Sequence, residues 1–155
     1  MFITIKKIIV VITIFITLLV DQISKKKVLL FLENNNMYHY KITHFFNFVK
    51  SWNPGISFGI LGEYNLPPYL FVFTSFIIVI LMLRYFTHIH PIVQGMIIGS
   101  ATGNAVDRIM FGQVFDFIDL HILDYHLPIF NIADIFIVFS TILLFIHSIV
   151  VRDKK

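Results

Sequence analysis

The sequence predicts an all-α membrane protein: four transmembrane helices, with short strands confined to the connections between them. Three observations predict it. Hydrophobic residues make up 57% of the 155 and charged residues only 14%, well below the roughly 25% charge of an ordinary soluble domain. The apolar residues collect in four segments. The acids collect as well: five of nine, Asp107, Asp116, Asp119, Asp124 and Asp134, lie within one stretch, which concentrates the polar chemistry there.

The four predicted spans cover about 8–28, 69–85, 91–107 and 132–151 in a single integral-membrane domain, near the ~20 residues a bilayer core requires. Lys6-Lys7 followed by an apolar run resembles a secretory signal, but no small-x-small cleavage site follows and Asp21-Gln22 comes next. A retained first span is predicted. Pro67-Pro68 and Pro91 precede or open the second and third spans, where a missing N–H costs little. Between the first two spans, residues 32–68 are long for a bare loop and must contain structure. Asn34-Asn35-Asn36 reads as a turn. Tyr38 to Ile42 and Phe45 to Val49 have the β-branched and aromatic content of short strands, and Asn53-Pro54-Gly55 reads as a turn. Within the connection 107–131, the segment from His121 to Pro128 reads as loop.

Four spans place both termini on one side. Six basic residues (Lys6, Lys7, Arg84, Arg152, Lys154, Lys155) then share a side with the termini, and six (Lys25, Lys26, Lys27, Lys41, Lys50, Arg108) lie opposite, so the positive-inside rule does not choose an orientation. The net charge of +3 comes from these scattered flanking residues; no basic stripe interleaved with aromatics points to nucleic acid. Cysteine is absent, which excludes disulfides, thiolate metal sites and a cysteine nucleophile.

Within the spans the polar residues form stripes. Gly95, Gly99 and Gly103 recur every four residues, a spacing that lets a neighbouring helix approach closely. The stripe continues to Asp107, with Asn104 beside it. Thr13, Thr17, Asp21 and then Ser24 or Lys25 share a face of the first span. Asn131 and Asp134 share the first turn of the fourth; N-capping accounts for Asn131 better than for Asp134. An acid held at membrane depth is costly and reads as functional by default. Asp116 and Asp134 stand out, because two carboxyls that meet share a proton and suit acid–base work on an amide.

Five phrases in order carry a resemblance: Asp21-Gln22-Ile23-Ser24-Lys25; Asn53-Pro54-Gly55-Ile56-Ser57-Phe58-Gly59; Gly99 through Asn104 to Asp107-Arg108; Val114-Phe115-Asp116-Phe117-Ile118-Asp119; and Phe130-Asn131-Ile132-Ala133-Asp134. Together they resemble the lipoprotein signal peptidases (signal peptidase II), membrane aspartic peptidases of bacteria, over nearly the whole chain. Ser57, Ser100 and Ile135 depart from the family's usual Ala, Gly and Ser; none is a proposed catalytic group. The resemblance implies a catalytic dyad of Asp116 and Asp134. Asp21, Lys25, Asn53, Gly55, Asn104, Asp107, Arg108, Asn131 and Ala133 are then active-site or supporting positions, with no metal and no cofactor. It further implies a small extracytoplasmic β-cradle, placed within 32–68 and the second connection, with a short amphipathic helix, both termini cytoplasmic, and an active site near the outer face of the bacterial inner membrane. The implied substrate is a diacylglyceryl-modified prolipoprotein cut on the N-terminal side of its lipidated Cys, with membrane lipid as the other partner.

Other readings weigh less. A serine–lysine peptidase needs Ser24 and Lys25 to face each other, which adjacent helix residues do not, or Ser57 to find a lysine through tertiary structure. A zinc hydrolase using His121, Asp124 and His126 lacks a His-Glu-x-x-His helix, and solvated loop histidines are the expectation. Arg108 is expected to pair with Asp107 or Asp21, or to hold substrate backbone. A proton-coupled transporter explains buried acids, and an assembly factor explains the glycine stripe; an Asp-to-Asn change separates both from a peptidase.

Overall fold

Helices and a small sheet alternate along the chain; the computed structural model describes residues 2–55, 67–85 and 89–152. The elements are α1 (Phe2–Asn34), β1 (His39–Lys41), β2 (Phe46–Asn53), α2 (Pro68–Arg84), α3 (Pro91–Phe111), β3 (Val114–Ile122), β4 (Tyr125–His126) and α4 (Ile132–Arg152). Ser57 and the rest of residues 56–66 lie outside the described residues, and the expected amphipathic helix is not among the described elements. Both α1, over Thr4–Asn34, and α4, over Ile132–Ile149, are long and apolar enough to cross a membrane; α2 is apolar but shorter.

Helix α1 outruns its predicted end. Its 33 residues span about 50 Å. The last turns continue because Val28 and Leu32 bury against Phe115, Phe117 and Ile118 of β3, and packing of an apolar face sustains a helix beyond its lipid-facing part. Past its end, the N–H of Asn36 donates to the Glu33 carbonyl at 3.0 Å, with Asn36 itself at φ 52°. As predicted, Pro68 and Pro91 lie in the first turns of α2 and α3. Helix α3 runs four residues past its predicted limit, to Phe111, and stops at Gly112. The φ of 74° there is a conformation glycine adopts without steric cost.

Helix α3 packs against the other three helices. A Cβ on Gly95 would sit 2.6 Å from the Thr13 Cβ and 2.9 Å from the Val10 carbonyl; one on Gly99 would sit 2.8 Å from the Ile14 carbonyl; one on Gly103 would sit 2.6 Å from Asp21 Oδ2. The glycine stripe therefore docks on the Thr13–Thr17–Asp21 stripe of α1, step for step. Elsewhere Ile89, Val93 and Ile97 pack with Ile78, Met82, Leu143 and Leu144.

The strands form an antiparallel sheet in the order β1-β2-β3-β4. Residues 114–122, in the second connection where the resemblance places part of the β-cradle, are a largely buried strand paired along β2. The β2–β3 register changes between Phe48 and Ser51: Phe48 pairs with Ile118, but Ser51 pairs with Asp116 and Asn53 with Val114. One extra residue in β2 reverses which side chains share a face. Without it Asn53 would point away from Asp116; with it the two share a face.

Candidate active site

Asp116 and Asp134 are both buried and are brought together from the middle of β3 and the first turn of α4. Asp116 Oδ2 accepts from Asn53 Nδ2 at 2.8 Å, and its Oδ1 accepts from Asn131 Nδ2 at 2.6 Å. The carboxylate of Asp134 accepts from Asn104 Nδ2 and from the Asn131 backbone N–H, each at 3.2 Å. In return the Asp134 N–H donates to Asn131 Oδ1 at 3.0 Å. Asn131 is thus the N-cap of α4 and Asp134 its reciprocal partner, in the manner of a capping box. Capping accounts for part of Asp134's position as well as for Asn131. The amide nitrogen left over on Asn131 reaches Asp116, so a single side chain orients both acids.

Burial pushes the Asp116 carboxyl up from 3.8 to about 6. The Asn53 hydrogen bond opposes that, the charge of Asp134 reinforces it, and Asn131 and Lys25 oppose it. The direction is that of two acids sharing a low-dielectric site. Beside Asp116 an open cleft of about 290 Å³ is lined by Trp52, Asn53, Pro54, Pro128 and Ile129.

A second polar cluster lies one residue away. Lys25, buried, places Nζ 2.8 Å from Asp21 Oδ2, 2.9 Å from Asp107 Oδ2 and 2.9 Å from Asn104 Oδ1, which uses all three of its donors. Asp21 Oδ1 accepts from the Ala133 N–H at 3.0 Å, tying α1 to the start of α4. Asp107 also accepts from the Phe115 N–H at 3.3 Å. Asn104 joins the two clusters, since its Oδ1 faces Lys25 and Asn131 while its Nδ2 faces Asp134.

The expected pairing of Arg108 with Asp107 or Asp21 is not what the fold forms. Among the described residues Lys25 is the cation bridging those two acids. Arg108 donates to the carbonyls of Gly55 and Asn104 and lies over the Phe71 ring at 5.1 Å. Gly55 in turn donates its N–H to Asn53 Oδ1 at 2.9 Å, so Arg108 clamps the turn that carries Asn53. A planar guanidinium suits that carbonyl and ring geometry. Ser24 donates to the Asp21 carbonyl at 2.7 Å and is not presented to Lys25. Gln22 escaped the sequence reading. Its Nε2 reaches Asp21, the Gly103 carbonyl and Asp107 at 3.2, 3.2 and 2.9 Å. Its signals were its place in the first of the five phrases and its position one residue from the α1 stripe.

His121 and His126 are strand rather than loop residues; His126 is solvated as expected, His121 largely buried. They pair across the β3–β4 hairpin, and Asp119 rather than Asp124 completes their cluster. Burial pushes Asp119 up, but hydrogen bonds from Asn47 and His126, with the nearby imidazoles, outweigh it and hold the carboxyl below its ordinary value.

A mostly helical scaffold that buries two acids on one shared asparagine, beside an open cleft, is an arrangement suited to proton transfer between carboxyls. The model of the signal peptidase (SPase) II family matches residues 12–150, and the chain belongs to that family. It is 41% identical over 131 residues to a lipoprotein signal peptidase of Rickettsia conorii (81% of this chain, 65% of the relative). It is 36% identical over 136 residues to one of Anaplasma phagocytophilum (84% and 85%). The chain thus spans less than two thirds of the length of the Rickettsia relative. A bacterial membrane enzyme solved by the in meso method is similar in structure, with a TM-score of 0.77 and 27% identity over 94% of this chain and 90% of the other. A second gives 0.72 and 25% over 90% and 91%.

Proposed function

We propose that this protein is a membrane aspartic endopeptidase that removes the signal peptide from diacylglyceryl-modified prolipoproteins, cutting on the N-terminal side of the lipidated Cys. The observation that carries the reading is the Asn131 side chain, which holds Asp116 directly and caps against Asp134. Family membership supports the substrate class. Asp116 and Asp134 are the catalytic pair; Asp21, Lys25, Asn53, Gly55, Asn104, Asp107, Arg108, Asn131 and Ala133 support them.

The chemistry follows from the pair. One carboxyl is protonated and the other ionised, and the two titrations belong to the pair rather than to either residue. The ionised group takes a proton from water, which attacks the scissile carbonyl. The protonated group donates to the carbonyl oxygen, and the pair then protonates the leaving amine. A carboxyl near 6 is poised to exchange its proton close to neutral pH. Asn53, Asn104 and Asn131 hold the carboxylates in place without supplying a charge that would pin their protons.

In this reading α1, α2, α3 and α4 form one integral-membrane domain of four spans. Both termini are cytoplasmic and the acid pair lies near the outer face of the bacterial inner membrane, with the sheet as the extracytoplasmic cradle. Exposed Phe15 and Phe145 on the two long apolar helices suit contact with lipid, and gaps between spans receive the diacylglyceryl tails. Nucleic acid is no partner.

The test is cleavage of a diacylglyceryl-modified prolipoprotein by purified protein in detergent, beside Asp116→Asn and Asp134→Asn. Cleavage by the parent, with loss in both folded variants, is expected. Cleavage surviving in either variant removes that acid from the chemistry. No cleavage by a folded parent, where a working family member cuts, overturns the reading.

A further inference from the structure

We propose that Asp119, His121 and His126 form a binding site for a divalent transition-metal ion of the zinc class, separate from the acid pair. The site follows from strand geometry. Asp119 and His121 are two residues apart on β3 and so share a face. The register pairs His121 with His126 directly across the hairpin. One possible ligand atom from each of the three lies within 4.8 Å of the others. Bonds of ~2.0–2.2 Å to His nitrogen and carboxylate oxygen separate tetrahedral ligands by roughly 3.3–3.5 Å, so closure about an ion takes a shift of about an ångström. His126, half exposed, has the freedom to make that shift and gives an ion access from solvent.

The surroundings are built for ligands. Asp119 is buried, with Oδ1 2.7 Å from His126 Nδ1. Asn47, directly opposite Asp119 on β2, donates Nδ2 to Asp119 Oδ2 at 2.8 Å and lies 3.3 Å from His121 Nδ1. An outer partner of that kind orients ligands and strengthens metal binding. The two imidazoles are stacked, centroids 4.7 Å apart and planes 16° from parallel, so their in-plane nitrogen lone pairs do not converge as they stand, and taking up an ion requires the half-exposed His126 ring to turn. Two imidazoles with one carboxylate favour zinc, copper or nickel over calcium and magnesium, which take oxygen ligands.

The site is distinct from the acid pair. Asp116 and Asp119 are three residues apart, an odd step that turns them to opposite faces of β3. A metal here would pin β4 to β3, steadying the strand that carries Asp116 without touching the reaction.

The test uses the full chain, free of any polyhistidine tag, stripped with chelator in detergent and titrated with Zn²⁺ against a chromophoric chelator. One equivalent is expected to bind per chain. His121→Ala and His126→Ala should each weaken binding at least about tenfold, and Asn47→Ala by roughly tenfold, the range for outer partners. Co²⁺ should give the visible spectrum of a nitrogen- and oxygen-ligated ion in the parent and lose it in His126→Ala. Size exclusion checks folding, and half-exposed His126 keeps the test alive where His121→Ala misfolds. Zn²⁺ affinity unchanged in His126→Ala, or no stoichiometric binding by the parent, overturns the proposal. So does binding lost in Asp116→Asn but kept in the histidine variants. None of these readouts requires cleavage, so the proposal stands or falls apart from the peptidase reading.

Discussion

Two buried charge clusters lie side by side, joined through Asn104, and they are compensated in opposite ways. In one, the Lys25 ammonium meets Asp21, Asp107 and the Asn104 carbonyl, all at 2.8–2.9 Å. In the other, Asp116 and Asp134 are held by the amides of Asn53, Asn104 and Asn131. A cation compensates its carboxylates by direct contact and fixes helix α1 against α3; amides position carboxylates without adding a charge. Under the proposed function the first cluster belongs to the scaffold and the second to chemistry, so the two sets of variants should fail differently.

The largest effect is expected at the acid pair. Asp116→Asn and Asp134→Asn should each lower cleavage by roughly 10²- to 10⁴-fold, the range of acid–base catalysis, with folding intact by size exclusion. Lys25→Met should do the reverse, destabilising by about 3–5 kcal/mol because two carboxylates lose their buried cation, read as a fall in thermal midpoint. Lys25→Arg should not restore it, because a planar fork cannot replace three contacts of a compact ammonium. An Lys25→Met protein as stable as the parent would break the comparison.

The pH dependence sharpens it. The folded Asp116 carboxyl, raised from 3.8 to about 6, contributes stability that is complete below about pH 4. That stability is lost between about pH 4 and 6, where the unfolded chain ionises first. Asp116→Asn removes this loss. Its stability should therefore gain on the parent's between pH 4 and pH 7, by on the order of 2–3 kcal/mol; a constant difference would sink the claim that burial raises this acid's titration.

Smaller effects are expected where the helices touch. Gly95→Ala would push a Cβ into the Thr13 side chain and the Val10 carbonyl, an overpacking cost of about 1–3 kcal/mol. Asn131→Ala should cost about 1 kcal/mol as a lost cap, yet lower cleavage far more than stability, because Asn131 also orients Asp116. Equal losses in both readouts would reduce Asn131 to a cap.

The sequence by itself determined much of the scaffold. Helix starts at Pro68 and Pro91, the glycine stripe as a packing face, and short strands near residues 39–41 and 46–49 all follow from rules that act within a few residues. Asp116 and Asp134 were legible because acids stand out in an apolar chain, and five short phrases in order carried the family. Only the tertiary structure decided who pairs with whom. Lys25 rather than Arg108 bridges Asp21 and Asp107, Ala133 contributes its backbone N–H, Gln22 joins the α1–α3 seam, and Asp119 replaces Asp124 beside the two histidines. The first three depend on the rotation of one helix against another, and the last on the β3–β4 register. The helix contacts leave no periodic trace, because they join residues 79 to 112 apart.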